Sequence, residues 1–184
     1  MRIIGGEARG RTLYAPTGLD TRPTSDRVRE SLFNILGARV IDARVLDLFA
    51  GSGALALEAI SRGAERAVLV DRDRKAAFAI ERNIRAVNAQ NPARLLRCDW
   101  RAAVARLAGE CFTLVFLDPP YRMEGLCAQA AISLHEAGLV ETGCILAMEH
   151  HREVDIDLPL PFEIFDRRQY SDAALSFARV TAEI

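Results

Sequence analysis

The sequence predicts a doubly wound α/β domain whose mostly parallel sheet ends in an antiparallel hairpin. Three observations carry that prediction. From Arg44 onward, short and continuously apolar segments alternate with helical ones, the pattern of strands covered on both faces. After Glu149 the alternation stops, and two strand-like runs follow with no helix between them. The length, 184 residues, suits one domain with a sizeable core and is too short for two full-sized ones.

Each element has its own local reason. Arg2-Ile3-Ile4 and Thr12-Leu13-Tyr14 flank a Gly-rich, basic connection, Gly5 to Arg11, which reads as a small β-hairpin with arginines at its tip. Arg22-Pro23-Thr24-Ser25-Asp26 supplies turn and cap residues. Val28, Leu32, Ile35 and Leu36 then recur at helical spacing up to Gly37. The expected organisation is a basic extension over residues 1–23 and a body over 24–184. In the body, strands are expected at Val45–Phe49, Ala67–Val70, Arg94–Arg97, Phe112–Leu117 and Cys144–Met148. Helices are expected at Ala54–Ser61, Lys75–Val87, Arg101–Ala108 and Leu126–His135. Phe162–Arg168 and Ala174–Thr181, joined by Gln169–Asp172, form the closing hairpin.

Half of the residues are hydrophobic and 27% are charged, the balance of an ordinary globular protein. No apolar run reaches the ~18–20 residues a membrane span needs, and the N-terminus lacks the apolar core of a secretory signal, so a cytoplasmic protein is expected. Cys98, Cys111, Cys127 and Cys144 contain no C-x-x-C pair and do not combine with His135, His150 and His151 into a metal spacing. Reduced thiols in core elements, and no metal, are the reading. The net charge of −1 hides a basic head: residues 1–44 hold eight arginines against five acids. Arginine is suited to phosphate because its planar fork donates two hydrogen bonds at once.

Ligands of doubly wound sheets bind at the carboxyl ends of the strands. Those ends carry Asp47-Leu-Phe49-Ala50-Gly51-Ser-Gly53, Asp71-Arg72-Asp73, Asp99-Trp100 and Asp118-Pro119-Pro120-Tyr121. Gly51-Ser-Gly-Ala-Leu-Ala56 satisfies G-x-G-x-x-G/A, with Asp71 twenty residues further on, so a nicotinamide or flavin dinucleotide is one reading. Asp47 weighs against it, because a carboxylate beside the loop repels a pyrophosphate. The same carboxylate favours a ligand with an ammonium group, and S-adenosylmethionine (SAM) has one beside a sulfonium. Asp71 can accept from ribose hydroxyls, Asp99 from an adenine amine, and Phe49 or Trp100 offers apolar surface.

The tetrapeptide carries the chemistry. Two prolines donate no N–H and hold φ near −65°, which fixes the Asp118 carboxylate next to a proline carbonyl, with the Tyr121 ring adjacent. Two converging acceptors suit an NH2 group, and a ring beside them suits the base that bears it. An aromatic amine is a poor nucleophile while its lone pair is delocalised. Acceptors that hold its hydrogens out of plane favour the pyramidal nitrogen of a methyl transfer, with positioning and preorganised polarity as the main catalytic terms.

D-P-P-Y resembles motif IV, and D-L-F-A-G-S-G resembles motif I, of methyltransferases acting on the exocyclic amines of nucleic acid bases. With Arg22-Pro-Thr-Ser-Asp-Arg-Val-Arg-Glu-Ser-Leu-Phe-Asn34 and Gly5-Gly-Glu-Ala-Arg-Gly-Arg11, nearly the whole chain resembles the RsmD family, which methylates guanine-N2 in 16S ribosomal RNA. The resemblance implies a Rossmann-like SAM-dependent methyltransferase fold. It implies a cofactor site at Asp47, Phe49, Ala50, Gly51, Gly53, Asp71, Arg72, Asp99 and Trp100, and a target-amine site at Asp118 to Tyr121. It further implies no metal and a target within a small-subunit RNA–protein particle; a monomer is expected. Asp71 stands where the family often has Glu, one methylene longer. An amino-methyltransferase of another target, such as DNA adenine, keeps every motif, and a dinucleotide-dependent oxidoreductase leaves the tetrapeptide unused.

A chain this small has no room for a separate target-recognition domain. Phosphate contacts by the basic head are expected to supply affinity, with the target base extruded into the pocket. Arg2, Arg9, Arg11, Arg22 and Arg27 are the candidates for the RNA backbone, and Arg122 for the target nucleotide. His150-His151-Arg152 reads as a polar strand exit.

Overall fold

The computed structural model describes residues 1–16, 25–119 and 125–182. A seven-stranded sheet forms the centre: β1 (Arg44–Asp47), β2 (Arg66–Val70), β3 (Ala93–Leu96), β4 (Phe112–Leu117), β5 (Val140–His151), β6 (Phe162–Gln169) and β7 (Ala173–Val180). Their spatial order is β3-β2-β1-β4-β5-β7-β6. The first five are mutually parallel, and β7 runs antiparallel to both β5 and β6. The chain reverses direction across the sheet between β1 and β4, where a doubly wound sheet opens its binding crevice.

Among the described residues, five α-helices cover the sheet: α1 (Asp26–Leu36), α2 (Ala54–Ser61), α3 (Arg74–Ala86), α4 (Trp100–Arg106) and α5 (Leu126–Glu136). One apolar cluster joins α1, α2 and α3 to side chains such as Val45, Leu69, Phe116 and Phe177. The other joins α4 and α5 to Leu46, Val68, Val115 and Met148. The alternation of neighbours between the two clusters along each strand is the period of two expected of a sheet buried on both faces. Caps set the helix starts. Ser25 accepts from the Val28 amide, Asp73 from those of Lys75 and Ala76, and Asp99 from that of Arg101.

The N-terminal hairpin is reduced to one antiparallel bridge, Arg2 with Thr12, flanked by Ile3 N–H to the Arg11 carbonyl (2.9 Å) and Leu13 N–H to the Met1 carbonyl (3.0 Å). It is packed onto the body, with Ile3 and Leu13 buried in the first cluster. Glu58 of α2, wholly buried, accepts from the amides of Ile4 and Gly5, both at 2.7 Å. Ser61 accepts from Ala8 N–H (2.9 Å) and donates to the Gly5 carbonyl (2.6 Å). Gly6 lies so close that a Cβ there would stand 1.7 Å from the Ser61 carbonyl oxygen. That close approach is the reason for glycine at this position.

Several boundaries differ from the sequence reading; β5, for one, runs on to His151, where the expected end is Met148. β5 starts at Val140, because Val140 still pairs with Phe112 before a register shift; the polar stretch Glu141-Thr-Gly143 hides this from a search for apolar runs. β1 ends at Asp47, and Leu48–Phe49 turn out of the sheet toward the glycine loop. Cys127 and Cys144 are buried in α5 and β5, and burial pushes the Cys127 thiol up to about 12. No helix among the described residues is long and apolar enough to cross a membrane.

Candidate active site

β1 delivers Asp47 to the crevice. The residue is fully buried, and neither carboxylate oxygen makes a hydrogen bond of good geometry; the Ala56 and Phe49 amides reach it only weakly. Burial pushes its pKa up to about 7; the amide dipole of Ala56 opposes this, the Asp71 carboxylate adds to it, and the Phe49 amide opposes it again. A buried acid so poorly satisfied costs free energy, so it marks a position built for something else. A cationic ligand group is the chemistry that would satisfy it.

The loop beyond Asp47 is held in shape by polar contacts. Ala50 N–H donates to the Val70 carbonyl (2.9 Å), and Gly53 N–H to the Ala50 carbonyl (2.6 Å). Asp71, at the end of β2, accepts from Gly51 N–H (2.9 Å) through one oxygen and from Asp73 N–H (2.8 Å) through the other. Burial raises its pKa, and those two amides work in the opposite direction. Each oxygen keeps a second lone pair, so Asp71 both fixes the loop and can accept from a hydroxyl. Gly53 opens α2 with φ of 79°, and a Cβ there would sit 2.9 Å from the Leu69 side chain. Conformation and space both demand glycine. Asn83, buried on α3, donates to the Ser52 carbonyl (2.8 Å) and the Tyr14 carbonyl (2.9 Å) and accepts from Tyr14 N–H (2.7 Å). No sequence pattern marks Asn83, since its partners are backbone groups 31 and 69 residues away.

At the β3 end, Asp99 caps α4 and stands 3.9 Å from the Arg72 guanidinium, both well exposed. The two aromatics proposed beside it differ. Trp100 is buried, with the Arg101 guanidinium 4.3 Å above its ring, whereas Phe49 is only half-buried. Phe49 meets Trp100 at 6.5 Å between ring centres and is the ring left accessible.

β4 brings Asp118 and Pro119 to the same crevice. Asp47 pairs in register with Phe116, and Leu48 N–H donates to the Phe116 carbonyl (3.2 Å), which leaves Asp118 just past the pairing. Asp118 is half-buried and Pro119 is buried; the Asp118 charge helps to raise the Cys127 thiol. Pro120, Tyr121 and Arg122 lie outside the described residues, as does Arg22. No cluster of potential metal ligands occurs among the described residues.

Of the arginines at the N-terminus, Arg2, Arg9, Arg11 and Arg27 are exposed. Arg29 is wholly buried: it donates to the Arg2 carbonyl (2.5 Å) and pairs with Asp26 (2.9 Å), and burial lowers its pKa. It anchors the hairpin from beneath.

The family model described as Conserved hypothetical protein 95 matches residues 1–179. The chain is 41% identical to Ribosomal RNA small subunit methyltransferase D of Escherichia coli over 159 residues, 86% of this chain and 78% of that one. The chain belongs to the RsmD family. It is also 43% identical over 160 residues to a putative rRNA methyltransferase, YlbH, of Bacillus subtilis, covering 85% of each. Among solved structures it resembles the putative methyltransferase yhhF of Escherichia coli, with TM-score 0.88, 35% identity, and 100% and 99% of the two chains covered. An RNA methyltransferase of Salinibacter ruber, solved with S-adenosyl-L-homocysteine, shares the fold at TM-score 0.69 and 17% identity, over 89% of this chain and 96% of that one.

Proposed function

We propose that this chain is a SAM-dependent methyltransferase that modifies the exocyclic N2 amine of a guanine in small-subunit ribosomal RNA. One observation supports the reading above the others. A buried carboxylate with no hydrogen bond of good geometry, at the end of β1, neighbours, across one strand pairing, the Asp118-Pro119 corner at the end of β4. The first suits the α-ammonium of SAM, and the second suits an aromatic amine.

SAM, when bound, supplies an electrophilic methyl carbon on a positive sulfur. Asp47 holds the ammonium, and its ionisation becomes favourable once a cation lies beside it. Asp71, already shaping the loop through the Gly51 amide, accepts from the ribose hydroxyls. Phe49 covers the adenine, and Asp99 with Arg72 borders it. On the acceptor side, Asp118 and the proline carbonyl take the two hydrogens of the amine and turn its lone pair out of the ring plane. Tyr121 stacks on the base. The Asp118 carboxylate receives the proton that the methylated nitrogen releases, and no strong base is needed because that proton is acidic by then.

The exposed Arg2, Arg9, Arg11 and Arg27, joined by Arg22 and Arg122, hold the RNA backbone, with a small-subunit particle as the substrate and a single copy of the chain as the enzyme. Incubation with tritiated SAM and unmodified small subunits, followed by nucleoside analysis, tests the proposal. The expected product is N2-methylguanosine in 16S RNA. Label in adenosine, or none in RNA, refutes the proposed target.

A further inference from the structure

We propose that the outer face of α3, together with Tyr14, is a stacking platform for single-stranded RNA that flanks the target nucleotide. The platform lies outside the set of N-terminal arginines and rests on the RNA-methyltransferase reading above. Its centre is Phe78, a phenylalanine 57% exposed on a helix otherwise well packed. The Tyr14 ring stands edge-on to it, 6.5 Å between centres at 85°, and the Arg82 guanidinium lies 4.6 Å over Tyr14. Three groups from two distant segments thus brace each other at the surface, and Phe78 remains uncovered.

The charges around Phe78 select the partner. Arg74, Lys75, Arg82 and Arg85 are exposed and fall with Phe78 within about 100° of the helix circumference, while Glu81 lies at the margin of that arc. Four cations and one acid around a bare ring are the composition of a single-strand site, where bases stack on aromatics and phosphates meet arginine. From Arg74 to Arg85 the helix rises about 16 Å, room for several nucleotides at about 3.4 Å each. A protein partner of apolar surface would be poorly matched to such a rim. The platform is also fixed relative to the active site. Asn83, one residue beyond Arg82, grips both the backbone of Tyr14 and the Ser52 carbonyl of the glycine loop. RNA lying along α3 is therefore held at a set distance from the crevice.

The test compares the wild-type protein with Phe78→Ala, Phe78→Trp and the triple variant Arg74→Ala/Arg82→Ala/Arg85→Ala. Binding of a fluorescein-labelled 20-nucleotide single-stranded RNA is measured at several salt concentrations, alongside SAM affinity, thermal melting and methyl transfer to small subunits. Phe78→Ala is expected to weaken RNA binding five- to tenfold at every salt concentration, and Phe78→Trp to restore it. The triple variant should weaken binding at least tenfold at low salt and flatten the salt slope by about 2, at about 0.7 per single-strand phosphate contact. SAM affinity should stay within twofold. Wild-type RNA affinity in folded Phe78→Ala and triple variants overturns the platform. So does a defect confined to intact subunits, which would mark a contact to ribosomal protein. If instead the wild type binds RNA with these dependences but methylates none in small subunits, the platform stands and the proposed reaction falls.

Discussion

Two strand ends in this sheet bury polar side chains, with opposite outcomes. At the end of β5, His150 is buried with both ring nitrogens engaged: Nδ1 meets the His151 carbonyl and Nε2 the Ser176 hydroxyl, each at 2.9 Å. A carbonyl only accepts, so Nδ1 carries the proton, and the Ser176 hydroxyl donates to Nε2. At the end of β1, Asp47 is buried as deeply and neither of its oxygens makes a hydrogen bond of good geometry. Burial lowers the pKa of the one and raises that of the other, so each is pushed toward its neutral form. The difference teaches where function lies in this fold. His150, satisfied on both nitrogens, is part of the scaffold, whereas the carboxylate of Asp47 at the mouth of the crevice is left to be completed by what binds there.

The largest effect is expected at the corner next to Asp47. Asp118→Ala should lower methyl transfer at least a thousandfold while SAM affinity, measured by calorimetry, stays within threefold. Joint loss of transfer and SAM binding would move Asp118 to the cofactor half and blur the division.

Asp47→Asn sharpens the comparison most directly. It should weaken SAM binding at least a hundredfold at pH 8. The ligand-free protein should behave oppositely. Because the folded pKa of Asp47 is raised to about 7, its contribution to stability is fully present below the unfolded value near 3.8 and is lost as pH rises through about 7. Asn carries no such charge, so the ligand-free variant should melt higher than wild type at pH 8, with the gap closing toward pH 5. In wild type, the same titration makes SAM affinity fall as pH drops below about 7. An unchanged melting temperature at pH 8 would mean that the carboxylate is better solvated than its burial implies.

Ser176→Ala probes the satisfied end. Removing the donor to His150 Nε2 should cost about 1 kcal/mol in denaturant unfolding and leave SAM affinity and transfer unaltered. The pH sign is reversed from that of Asp47. With its folded pKa lowered, His150 contributes stability that is present above its unfolded value near 6.5 and is lost as pH falls below it, toward the folded value. A catalytic defect in Ser176→Ala would break the contrast. The smallest effect is expected at the rim, where Arg9→Ala/Arg11→Ala should flatten the salt dependence of RNA binding by about 1.4 and leave SAM affinity unchanged.

The family was legible in the sequence because its signals are contiguous. An aspartate, two glycines and a helix start lie within ten residues, and the D-P-P-Y corner directly follows an apolar strand. The alternation of strands and helices, the closing hairpin and the cap at Ser25 are likewise local matters of period and side-chain reach. Other features needed the folded chain. Sequence order alone does not insert β7 between β5 and β6, nor carry β5 back to Val140 through a polar stretch. Composition placed Arg29 among the basic residues of the head, whereas packing buried it as an anchor. Trp100 read as apolar surface for the ligand, and α4 turned it into the core beneath Arg101. Asn83 and the Tyr14–Phe78–Arg82 platform join segments some 70 residues apart, and no periodicity encodes such a meeting. Local propensity and spacing determine which groups this chain owns; which of them lose water, and which are left without partners, is decided only when distant segments compete for the same interior.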